Sequence, residues 1–164
     1  MPLTPFHLGP GLLLGVLTLR FFNLWAILLG SIVVDLEPTI LIFTKKCYQC
    51  PHHGFFHSIL GAILGSLIIA IILRKFRVKL EKISFKFKIN QSFSFSVLFF
   101  SSFSAWVVHI FFDSLVHNDV FLFWPSKSNP FLIGLDFYWP LGLISLIIGI
   151  FGFILISKKL KKYA

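Results

Sequence analysis

Two pairs of ionisable residues stand four positions apart in this chain, His53 with His57 and His109 with Asp113. On a helix that spacing puts both side chains on one face, one turn apart. Two His at i, i+4 is the spacing by which a helix chelates a transition metal. An Asp one turn from a His can ligate the same ion or orient the imidazole from behind. His117 continues the face of His109 and Asp113. Asp35 and Glu37 are two acids close together, which repel unless a cation or a His lies between them. His7 stands alone near the start. The candidate metal ligands are therefore His7, Asp35, His53, His57, His109 and Asp113. Nitrogen and oxygen donors suit zinc, iron, manganese or nickel. Zinc is the leading expectation, as one or two divalent ions.

Cys47 and Cys50 form a CxxC just before His52 and His53. With those His they could build a Cys2His2 zinc site. A disulfide or two free thiols are the other readings, and a single CxxC does not separate them.

These residues sit in an unusually apolar chain. Its 164 residues are 57% hydrophobic and 13% charged, with a mean hydropathy of +0.90. A soluble domain averages about 25% charged, so this one cannot coat itself with a soluble surface. Disordered chains are poor in aromatics, and this one has 22 Phe. The class is an integral membrane protein, folded as a single domain over 1–164.

Residues 55–73, 89–108 and 137–157 carry no Asp, Glu, Lys or Arg. Each is near the ~20 residues that cross a bilayer. The first apolar stretch, 11–34, is interrupted by Arg20 and Asn23. It reads either as one span or, preferably, as a short hairpin of helices at about 6–19 and 23–35. The hairpin lets His7 meet Asp35, whereas a single span puts them across the membrane from each other. Each arm would be about 14 residues and about 21 Å long. That is short of the ~30 Å hydrocarbon core. The expected fold is all-α, a membrane helical bundle of about four to five helices, made of the hairpin and three spans. Residues 92–96 (SFSFS) alternate like a strand, but an open strand in lipid leaves its backbone unpaired. They read as a helix start, with Ser94, Ser101, Ser104 and Ala105 as small residues for close packing. The first ten residues lack a basic n-region, and no removable signal peptide is expected.

The formal charge of +9 comes mostly from a basic loop at 74–92 and a basic tail at 158–162. Short basic segments stay cytoplasmic. That rule puts the 35–57 and 109–136 loops, and the His/Asp set, on the non-cytoplasmic face of a multi-pass protein of the cell membrane. The 74–92 segment reads as an interfacial loop or short amphipathic helix. The basic blocks are explained as topology determinants beside anionic headgroups, so membrane lipids are the expected partners and no nucleic acid is.

The segments TPFHLGPGLLLG, VVDLEP, HHGFFHS and HIFFDSLVHNDVFLFWPS, in that order, resemble the membrane-bound metal-dependent hydrolases of the YdjM-like family. The resemblance covers roughly 4 to 140. It implies that His7 is the family's early His and that Asp35 and Glu37 stand at its two acids, with Val34 where the family has Pro. His57-Ser58 match its His-Ser, and His109 and Asp113 its later pair. By strict spacing His52 is the family's first His and His53 replaces its Arg; helical geometry makes His53 the better partner for His57.

The resemblance implies a reaction class, hydrolysis, and no substrate. A bound divalent ion lowers the pKa of water to near 7, and Glu37 or Asp35 is the candidate general base. A site at headgroup level suggests a lipid-linked ester or phosphoester. The alternative is a non-enzymatic metal-binding membrane protein, a carrier or sensor.

Overall fold

The computed structural model describes residues 4–45 and 53–162. Cys47, Cys50 and His52 lie outside the described residues. Among the described residues every regular element is helical. In order they are α1 (Thr4–Leu17), α2 (Leu24–Ile32), α3 (Leu36–Lys45), α4 (Ile59–Lys75), α5 (Arg77–Lys86), α6 (Phe95–Val116) and α7 (Tyr138–Lys162). Single 3-10 turns sit at Val33–Asp35, Phe55–His57 and Leu135–Phe137.

The N-terminal hairpin is present, and its turn is built by Asn23. The Asn23 side chain caps α2 by accepting from the Ala26 N–H at 3.2 Å. Its own N–H donates to Ser101 Oγ at 2.8 Å, and its side-chain amide donates to the Ser92 carbonyl at 2.9 Å. A fully buried Asn is tolerable because its hydrogen-bonding groups find partners. The second arm is longer than the sequence suggests. It does not end at 35: α2 and α3 form one apolar stretch, Leu24–Thr44, of 21 residues. Pro38 explains the misreading. It has no N–H to give the Val34 carbonyl. The Leu36 N–H bonds the Val33 and Val34 carbonyls instead, and the turn tightens to 3-10. Such a break looks like a helix end in sequence.

Among the described residues three stretches are long and apolar enough to cross a membrane: Leu24–Thr44, Phe95–Val116 and Leu135–Leu160. A fourth span is possible if α4 and α5, bent by 77° at Phe76, are counted as one. The apolar part of α1, Phe6–Leu17, is shorter. The basic segment after α4 is thus in part a helix, α5, turned away from the span before it. The SFSFS stretch starts α6, with Ser94 as N-cap accepting from the Val97 N–H. Ser101 and Ala105 face the interior, as expected, but Ser104 bonds its own helix and Ser102 takes the buried position.

Small residues set the helix spacing. A Cβ on Gly9 of α1 would collide with the Ser145 carbonyl of α7, and Gly149 lies opposite. In lipid, where apolar side chains gain little by leaving the bilayer, such close backbone contact is a main source of helix association. Trp106 of α6 lies over Gly65 of α4 and donates its Nε1–H to the Phe56 carbonyl at 2.9 Å. The core cluster around it includes Ala26, Val34, Ala62, Ile69, Leu98 and Ile110. On α7, Ile147, Ile150, Phe151 and Phe153 are exposed, the face that lipid covers.

Candidate metal centre

Five short pieces of chain deliver the ionisable residues to one place. His7 comes from the first turns of α1, and Asp35 from the 3-10 break. Glu37 opens α3. His53 and His57 precede α4, and His109 and Asp113 lie in the last turns of α6, with His117 as its C-cap. Asp119 follows in the loop. Ile59 N–H donates to the Leu122 carbonyl at 2.9 Å, which ties this loop to the start of α4.

Asp113 is the hub. Its Oδ1 is 3.2 Å from His7 Nε2. Its Oδ2 is 3.1 Å from His109 Nε2 and 3.5 Å from His57 Nε2. Asp35 Oδ1 is 3.3 Å from His109 Nε2. The His7 and His109 rings stack with centroids 3.8 Å apart. His7, Asp35, His109 and Asp113 each offer a ligand atom within 4.8 Å of the others, and so do His53, His57 and Asp113. All six residues predicted from sequence therefore converge. A third group, His53, His117 and Asp119, adjoins them.

Two observations fit a cation. Buried His7 Nε2, Asp35 Oδ2, His57 Nε2, His109 Nε2, Asp113 Oδ1 and His117 Nε2 have no hydrogen-bond partner. They are close to each other but wrongly angled for donation, so the short N–O separations above are not hydrogen bonds. Buried polar atoms are nearly always satisfied, and the five orphans around Asp113 fit an ion, while His117 Nε2 belongs to the adjoining group. The second observation is spacing. Four ligands at ~2.0–2.1 Å around a tetrahedral zinc stand about 3.3 Å apart. Within the His7, Asp35, His109 and Asp113 group the separations are 3.1, 3.2 and 3.3 Å, close to that value.

The other ring nitrogens are held from behind. His109 Nδ1 donates to the Ser31 carbonyl at 2.8 Å. A carbonyl only accepts, so Nδ1 carries the proton and Nε2 presents its lone pair. His57 Nδ1 donates to Glu37 Oε2 at 2.9 Å, and His53 Nδ1 to Asp119 Oδ1 at 2.8 Å. This carboxylate–imidazole arrangement fixes tautomer and ring angle in metal sites. Glu37 is itself fully held. Oε2 accepts from the Gly54 N–H at 3.1 Å and Oε1 from the Phe56 N–H at 3.1 Å. Gly54 is required here because a Cβ on it would stand 2.6 Å from Glu37 Oε1.

Electrostatics differ between the two His at the helix ends. Burial opposes charge on His57, but the nearby Asp113 carboxylate and the hydrogen bond to Glu37 outweigh it and raise its pKa. His117 is pushed down to about 4 by burial and by the neighbouring His53, so it is neutral at pH 7.

His117 and Asp119 did not enter the sequence-based ligand set. For His117 a signal existed, its position four after Asp113. Asp119 lies past the helix end, where spacing no longer reports direction. The Ser31 carbonyl is a backbone group and carries no sequence signal.

No curated protein and no solved structure matches the chain significantly. The YdjM inner membrane protein family matches residues 1–164, and the chain, with its apolar spans and buried His/Asp cluster, belongs to that family.

Proposed function

We propose that this protein is a membrane-bound, metal-dependent hydrolase acting on a lipid-linked ester or phosphoester. The observation that carries the reading is the ring of buried His and Asp atoms without hydrogen-bond partners around Asp113. His7, Asp35, His109 and Asp113 would hold one divalent ion. His53 and His57 would hold a second against the other side of Asp113. The donor set suits zinc. When bound, the ion supplies Lewis acidity and a water of lowered pKa.

The chain's own residues do the rest. His109 and His57 present their Nε2 lone pairs because Ser31 and Glu37 hold Nδ1–H. With both oxygens engaged, Glu37 is assigned to positioning His57 rather than to taking a proton. Asp35, whose Oδ2 has no partner, is the proton acceptor. The basic α5 and C-terminal segment support a site on the non-cytoplasmic side, because short basic segments stay cytoplasmic.

The test is hydrolysis of a lipid phosphoester by the purified, zinc-loaded protein. Activity that vanishes on chelation, returns with zinc and is missing in Asp35→Asn supports the reading. Bound zinc with no hydrolysis of any ester offered would sink it. One observation favours a second reading, a metal carrier: Asp35 is the twelfth residue of its 21-residue span, deep for a surface site. Zinc uptake into sealed vesicles would establish that alternative.

A further inference from the structure

An apolar groove of about 600 Å³ runs between α2–α3 and α4. Its floor is Val34, Ile69 and Trp106, all buried, and its rim is Leu36, Ile40, Ile68 and Ile72, all exposed. Glu37 is the one charged residue that lines it. Glu37 sits past the middle of the α2–α3 wall, before Ile40 and Leu41, with its Oε2 2.9 Å from His57 Nδ1. From Leu29 to Leu41 the lining extends about 18 Å along the helix axis, at 1.5 Å per residue.

We propose that this groove binds one hydrocarbon chain of a membrane lipid, with the ester end of that lipid at Glu37 and His57. The inference rests on the hydrolase reading for what happens to the ester, but the groove can be tested without it.

Three features select this occupant. The groove lies on spans that lipid surrounds, and its exposed rim opens sideways from the bundle, so a chain can slide in without leaving the hydrocarbon phase. Its one charged side chain, Glu37, lies in the part next to the metal ligands, which matches a molecule apolar along its length and polar at its head. It also runs up to the ligand set: Phe56, which lines it, is the chain neighbour of His57, so a chain lying along it brings its polar head to the metal ligands.

The experiment uses the full-length, zinc-loaded protein in phosphatidylcholine nanodiscs. A phospholipid with a diazirine midway along one acyl chain is included, and the label is mapped after irradiation. Label is expected to concentrate on residues 29–41 and 65–72. The double variant Ile40→Trp/Ile68→Trp, which fills the rim, should lower it about tenfold, the effect of two methylenes losing their burial, with zinc content retained. Label spread evenly over the groove and the exposed α7 face at Ile147 and Ile150, or unchanged in the double variant, overturns the proposal. A reduction that Ile147→Trp/Ile150→Trp reproduces overturns it as well. Concentrated label without hydrolysis of any ester would sustain the groove and overturn the hydrolase reading alone.

Discussion

Glu37 Oε2 lies 2.9 Å from His57 Nδ1 although the two residues belong to different helical pieces. The same carboxylate receives the Gly54 and Phe56 N–H groups. One side chain therefore fixes both the path of the loop before α4 and the rotation of an imidazole. Substituting Glu37→Gln keeps the shape but weakens this hold. Zinc affinity should fall about 10–100-fold, the usual effect of losing such a partner. Titration against a competing chelator measures it, and unchanged affinity would remove Glu37 from the site.

Gly54→Ala should act through the same contact. The added Cβ stands 2.6 Å from Glu37 Oε1, so Glu37 must move off His57. The two variants share one mechanism and should be non-additive. A Glu37→Gln/Gly54→Ala double variant that loses the full sum of both effects would show that they act separately.

Asp113 touches His7, His57 and His109, and His109 touches Asp113, Asp35 and His7. Asp113→Ala and His109→Ala should each remove bound metal, as read by elemental analysis of protein purified without chelator. Retention of a full complement in both would move the ion elsewhere. His117→Ala touches only the adjoining group and should retain most of the metal.

How much of this was legible in the sequence depends on what each residue uses to reach the site. His109 and Asp113 use a straight helix, so their spacing reports their common face. The hairpin at Asn23 was legible because Arg20 and Asn23 interrupt an apolar run. The continuation of that hairpin past Asp35 was not. Pro38 produces a 3-10 break inside a span, and in sequence a break and an end share the same signs. Asp119 and the Ser31 carbonyl were invisible for a different reason. Their roles depend on loop path and backbone position, which periodicity does not encode.

The raised pKa of His57 gives a pH-dependent signature. The folded, metal-free chain keeps a proton on His57 at pH values where the unfolded chain has released it. That contribution to stability is complete below the ordinary His range and is lost as pH rises through the folded value. Metal needs the neutral imidazole, so zinc binding at pH 7 should release protons. Calorimetry in buffers of different ionisation enthalpy reads this directly. Heats that do not depend on buffer would contradict it.

Gly30 of α2 lies against the Ser102 backbone of α6, where an added Cβ would stand 2.5 Å from the carbonyl oxygen. Gly30→Leu should push α2 from α6 and carry Ser31 and Asp35 away from His109. Both thermal stability in detergent and zinc content should drop together. A stable variant with full zinc would mean that the α2–α6 spacing does not set the site.

The break at Val33–Asp35 also bears on how the protein is made. It leaves an acid in the middle of the stretch that must enter the bilayer, at about 2.5–3.5 kcal/mol for an Asp at a helix centre. Leu24–Thr44 as a whole is apolar enough to insert in spite of it. Its nearest imidazole on α6, His109, is synthesised 74 residues later. During that interval Asp35 has no α6 beside it, so the N-terminal hairpin cannot reach its final packing until α6 arrives. The order of biogenesis follows: insertion first, closure of the bundle second, and assembly of the ion site last.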